Sequence, residues 1–118
     1  MGRWLVLFAA GATLGCAVST AVFADAASDV AALEAQCEQA RETMIRPLRA
    51  AEIAKCKADP HNDPEHCEHF WATYGDAYRR PNGTMAPRMF DDLPICVKAH
   101  QARKDLKSLR AWRVKRSS

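Results

Sequence analysis

What the chain lacks narrows its chemistry first. It has no C-x-x-C, no H-E-x-x-H, no G-x-S-x-G elbow and no glycine loop of the kind that cradles phosphate. Dithiol redox chemistry, zinc proteolysis, serine hydrolysis and nucleotide handling therefore have no motif to rest on. Its carboxylates are scattered along what read as helix surfaces, where solvated pairing is the default. A small helical domain also seldom encloses a deep pocket. No internal repeat and no alternating apolar and polar run points to a strand, so the expected fold class is all-α. These absences argue for a non-catalytic protein with no cofactor.

The charge is unevenly placed. From Lys98 to Ser118 there are eight Lys/Arg against one acid, Asp105, whereas Asp25 to Val97 carries eight Lys/Arg against thirteen Asp/Glu. An acidic body thus carries a basic tail. The first two dozen residues read as an export signal: a short positive start, an apolar run from Trp4 to Leu14, and the small-residue site Val22-Phe23-Ala24. Cleavage is expected after Ala24, with Ala24-Asp25-Ala26 an ordinary alternative. Two rival readings are retention of Trp4 to Ala24 as an uncharged anchor, which is long enough to span a bilayer, and lipidation at Cys16. The expected division is 1–24 as signal peptide, 25–111 as a disulfide-stapled helical domain and 112–118 as a basic, frayed tail. The mature chain is expected in the periplasm if the host is Gram-negative and otherwise outside the cell, without a transmembrane span.

Three helices are expected in the mature chain. Ser28 reads as the N-cap of the first, with Asp29 in the first turn. Val30, Leu33, Cys37, Ala40, Met44 and Leu48 then recur on one side. Pro47 predicts a kink or a break, after which the helix resumes to Cys56 and stops before Asp59-Pro60. Asp63-Pro64 opens a second helix whose Cys67, Phe70, Trp71 and Tyr74 make the tightest apolar face in the chain, expected to be core, with Gly75 as its C-terminal cap. Residues 76–91 read as irregular, with Pro81-Asn82-Gly83 a turn and Met85, Met89 and Phe90 tucked over the core. A third helix is expected from Asp91 or Asp92 as cap, with Leu93, Cys96, Ala99, Leu106 and Leu109 as its stripe and fraying past Trp112.

Loss of Cys16 with the signal leaves four cysteines, an even count that argues for two disulfides in a small exported chain and allows three pairings. Cys56 ends helix one and Cys67 begins helix two, so a helical hairpin brings them together, and Cys37–Cys96 follows by exclusion. Chain-entropy reasoning assigns about 3 kcal/mol to the shorter loop and about 4 kcal/mol to the longer. In layout this nested hairpin resembles the coiled-coil-helix proteins of the mitochondrial intermembrane space, whose twin C-x9-C motifs join antiparallel helices. Here the internal spacing is C-x10-C, each helix has one clear cysteine of a pair and an export signal precedes them, so the likeness is of layout and not of kinship.

Two groups of residues stand out as candidate sites. His61, Asp63, His66 and His69 offer imidazole and carboxylate ligands suited to zinc or copper, with His66 and His69 three apart on the second helix. The plainer reading is a solvated polar helix start, and a disulfide at Cys67 would remove that thiolate from any ligand set. Calorimetric titration with either metal is the test. Arg103, Lys104, Lys107, Arg110, Trp112, Arg113, Lys115 and Arg116 form a basic helix end that could meet an acidic protein partner or an anionic envelope surface. Nucleic acid has the same electrostatic footprint but does not fit export. The expected role is an interaction or structural module at the cell envelope, the alternative a small metal-binding protein.

Overall fold

The computed structural model describes residues 18–118, in the order α1 (Val18–Ala58), α2 (Pro64–Trp71), β1 (Tyr78–Arg79), β2 (Met85–Ala86) and α3 (Pro94–Ser117). The chain is mostly helical and carries two disulfides, Cys37–Cys96 and Cys56–Cys67. These are the pairs that the hairpin geometry leads one to expect. The apolar run from Trp4 to Leu14 and Cys16 lie outside the described residues.

α1 is a single helix of 41 residues, about 60 Å long at 1.5 Å per residue. Ser28 is therefore an interior residue and not a cap. The alanine-rich stretch around it, Ala24, Ala26 and Ala27, propagates a helix readily and offers no stop signal. The expected cleavage site after Ala24 falls within this same helix. Pro47 also lies inside α1 without ending it, at a solvent-exposed position. Lys55 and Lys57 in the last turn complement the negative end of the helix dipole.

α2 starts as its sequence dictates. Asp63 is extended (φ −70°, ψ 125°), its carboxylate accepts the His66 amide proton at 3.1 Å, and Pro64 occupies the first turn where no donor is missed. The helix ends at Trp71, before Tyr74, in a run of tighter turns that reaches Gly75 at φ +94°. Residues 76–91 are not wholly irregular: β1 and β2 pair antiparallel, with Tyr78 opposite Ala86 and Arg79 opposite Met85. Pro81-Asn82-Gly83 is the turn between them. Asn82 Oδ1 accepts from the Thr84 amide (3.1 Å) and hydroxyl (2.7 Å), and Gly83 takes the left-handed φ of +84°. Strands of two residues are too short to leave an alternating pattern, which is why the all-α expectation missed them.

α3 is capped by Leu93 without any side-chain hydrogen bond, so neither Asp91 nor Asp92 caps it. Asp91 is instead engaged by Arg88. The helix continues past Trp112 to Ser117. It runs antiparallel to α1: Cys96 meets Cys37, Arg103 pairs with Glu34, and Arg113 lies over the Phe23 ring.

The core is small and lies between α1 and α3 around Cys37, Cys96 and Ala99, with Leu33, Leu93 and Ile95 packed against them. Val30, Ile45, Cys67, Ala86 and Leu106 are also buried, and the largest fully buried side chains are all cysteines. The expected aromatic core on α2 is not there. Phe70 is 63% exposed and Trp71 and Tyr74 are half-buried, because the described residues supply no further layer to cover them. Met85, expected to tuck inward, is exposed, as are Met44, Leu48 and Leu109. On α1 the buried stripe runs instead through Arg41 and Ile45, one residue away from Ala40 and Met44.

Ile45 leaves Gly75 no room for a side chain. A Cβ there would sit 2.7 Å from Ile45 Cδ1, whereas one at Gly83 would touch nothing within 4 Å. Gly75→Ala should therefore combine backbone strain with a clash and cost roughly 2–3 kcal/mol, against roughly 1 kcal/mol for Gly83→Ala, in urea denaturation. Adding Ile45→Val removes the clashing atom, so the double variant with Gly75→Ala should cost less than the two single changes together. Equal costs at the two glycines would contradict this packing.

Candidate functional site

The residues singled out on α3 share one helix but not one face. Leu106 points into the core. At about 100° per residue, Arg110, Arg103 and Lys107 lie on one flank, Lys98 and Arg116 on the other, and Lys104 and Lys115 opposite Leu106. Positive charge thus wraps the solvent side of the helix. Of the eight Lys/Arg from Lys98 to Arg116, Arg103 alone meets a carboxylate among the described residues, that of Glu34. Two others rest on aromatic faces: Arg113 is 4.8 Å from the centroid of Phe23, and Arg116 is 4.3 Å from that of Trp112. Trp112 is 56% exposed, and Leu109 and Val114 beside it are exposed too. The helix end therefore offers unpaired cations interleaved with accessible apolar surface, a combination suited to an anionic partner.

The four metal-candidate residues are not gathered into one site. His61 sits in the loop with its Nδ1 3.0 Å from Asp59 Oδ1, and Asp63 is occupied as the α2 cap. His66 and His69 are exposed on α2. Among the described residues the one cluster of three potential ligand residues within 4.8 Å is Cys37, Asp91 and Cys96, and its two sulfurs are bonded to each other. A closed disulfide offers no thiolate to a metal.

A charged network that sequence reading missed lies where α1, the hairpin segment and α3 meet. Arg41 is 3% exposed. Its Nε donates to the Met89 carbonyl (2.9 Å), Nη2 to the Gly75 carbonyl (3.1 Å) and Nη1 to Glu38 Oε2 (2.7 Å). Glu38 Oε1 in turn pairs with Arg88 Nη1 at 2.8 Å, and Arg88 Nη2 donates to Asp91 Oδ1 at 2.7 Å. His100 Nε2 is 3.1 Å from Asp91 Oδ2, a pair that is ionic when the imidazole is protonated. A cleft of about 260 Å³ beside the Cys37–Cys96 bridge is lined by Glu34, Glu38, Arg88, His100 and Arg103. The carboxylates of this network each face at least one guanidinium. Their sequence separations, up to 69 residues, give no spacing signal.

A second concavity, about 650 Å³, is lined by Phe70, Trp71, Tyr74, Asp76, Tyr78 and Met89. Trp71 meets Phe70 edge-on at 5.0 Å and Tyr74 at 5.7 Å. It is what becomes of the aromatic face that was expected to be core. No known protein family, curated protein or solved structure matches this chain.

The network has a pH signature. The Arg88 guanidinium holds the Asp91 carboxyl below its ordinary 3.8, with partial burial opposing it and His100 adding to the effect. A carboxyl depressed in the folded state stabilises fully above its unfolded value and loses that contribution as pH falls through the folded one. Asp91→Asn should therefore lower the urea midpoint by a constant amount above about pH 5 and by progressively less below pH 3.8. A difference that widens on acidification would contradict the pairing.

Proposed function

We propose that this is a small exported, non-catalytic helical protein of the cell envelope that works by binding, and that the basic solvent side of α3 meets an anionic partner. One observation carries the reading: seven of the eight Lys/Arg between Lys98 and Arg116 have no carboxylate partner among the described residues, although Asp25 to Val97 has an excess of acids. A cationic surface that the chain does not neutralise itself favours association with negative charge.

Export is supported by the leader-like start of the chain and by two disulfides, which persist in oxidising compartments. Among the described residues no helix is long and apolar enough to cross a membrane. The periplasm of a Gram-negative host, or the extracellular space otherwise, fits these features. Metal carriage by His61, Asp63, His66 and His69 would require a rearrangement of the α2 start, including release of the Asp63 cap. With all four mature cysteines in disulfides, no thiol is left for covalent catalysis.

Titration of the full chain with polyglutamate and with phosphatidylglycerol vesicles tests the reading. Binding to at least one is expected at low salt, weakening at moderate salt and lost in Lys104→Glu/Lys107→Glu/Arg110→Glu. Indifference to both anionic probes would overturn it.

A further inference from the structure

The antiparallel pairing of α1 and α3 has a positional result. α3 starts beside Cys37 and ends beside Phe23, so its last turns return to the end of the molecule at which α1 begins. That end collects three features. The exposed apolar side chains of α3 beyond its first turn are Leu109, Trp112 and Val114, all in its last nine residues, and Val22 of α1 is exposed as well. Arg110, Arg113, Lys115 and Arg116 are interleaved with them, without an acid after Asp105. The chain preceding Val18 is uncharged from Trp4 onward. Farther along α3, from Lys98 to Ser108, no large apolar side chain is exposed.

We infer that this end of the molecule seats on an anionic phospholipid surface, end-on, with Trp112 at the headgroup level and Arg110, Arg113, Lys115 and Arg116 against the phosphates. The inference rests on the reading of α3 as an anion-binding helix and narrows its partner to lipid. Charge and apolar surface together select a bilayer interface over an acidic polypeptide, because tryptophan partitions to headgroup depth and clustered Lys/Arg are drawn to anionic leaflets. The end-on attitude follows from the placement of the exposed apolar groups. A helix lying flat in an interface needs an apolar face along its length, and beyond Val97 in its first turn α3 exposes large apolar side chains only in its last nine residues. Cations wrapping a helix end can surround an end-on contact. Processing after Ala24 would remove Val22 and Phe23 but nothing of α3, so the surface is common to precursor and mature chains.

The test uses the full chain with Trp4→Phe and Trp71→Phe, leaving Trp112 as the single fluorophore, and vesicles of phosphatidylcholine with or without phosphatidylglycerol. Trp112 emission should shift to the blue only with phosphatidylglycerol present. Arg110→Glu/Arg113→Glu/Lys115→Glu/Arg116→Glu should weaken that binding by at least about tenfold. Arg79→Glu/Arg80→Glu, exposed on the hairpin and outside the basic side of α3, should leave it nearly unchanged. Circular dichroism checks that each variant remains helical. Because the apolar N-terminal residues can enter any vesicle, equal shifts with both lipid compositions would overturn the inference. So would equal losses in the two charge-reversed variants. Binding of polyglutamate without a preference for phosphatidylglycerol would overturn it while leaving the wider anion-binding reading intact; indifference to both probes would end both.

Discussion

The guanidinium of Arg41 is the constraint on which the rest of the fold depends. Almost wholly buried, it spends its donors on three partners: the carbonyls of Gly75 and Met89 and the Glu38 carboxylate. Gly75 and Met89 also bond to each other, the Met89 amide donating to the Gly75 carbonyl at 2.9 Å. One side chain of α1 thereby closes the neck of the hairpin segment and fixes where the chain emerges toward α3. Phe90, at a left-handed φ of 58°, turns the backbone next to that neck, and Asp91 takes up the charge relay through Arg88. Charge-assisted hydrogen bonds to buried carbonyls are worth more than neutral ones, and leaving those carbonyls unpaired is costly.

The disulfides act on either side of this point. Cys37 is one turn before Arg41 and locks α3 to α1, and Cys56–Cys67 locks α2 back onto the end of α1. Their combined entropic effect of several kcal/mol is comparable to the net stability of a small domain. That scale suits a chain whose largest fully buried side chains are the cysteines themselves. The apolar core does not hold three helices unaided; covalent bridges and a buried cation complete it. The economy of the core explains why so much apolar and aromatic surface stays outside, both in the Phe70–Tyr78 concavity and at the end of α3.

Much of this was legible in the sequence, and the misses share a cause. Asp63-Pro64 marked the start of α2, Asp59-Pro60 the end of α1 and Pro81-Asn82-Gly83 a turn, because each is a local rule about caps and breakers. The helical hairpin put Cys56 beside Cys67 for the same reason. Ser28, Asp91 and Asp92 failed as caps because cap chemistry is local only when the neighbouring chain permits it. α1 already runs through Ser28, and Asp91 is claimed by Arg88. Arg41 was invisible because an arginine in an amphipathic helix defaults to the solvent side, and only the distant Gly75 and Met89 carbonyls make its burial tolerable. The same substitution of partners turned the expected stripe at Ala40 and Met44 into one at Arg41 and Ile45, and left the aromatic face of α2 as surface.

The functional reading leans on this architecture, since the Arg41 neck sets the start of α3 and so places its basic end beside the N-terminal end of α1. Amide hydrogen exchange on Arg41→Met tests that dependence most directly. The expected result is a loss of roughly 2–4 kcal/mol in global stability together with collapse of protection at the Met89 amide and through residues 75–89, while α1 away from the neck remains protected. A change below about 1 kcal/mol with Met89 protection intact would show that the disulfides and the apolar core suffice, and would contradict the role assigned to Arg41.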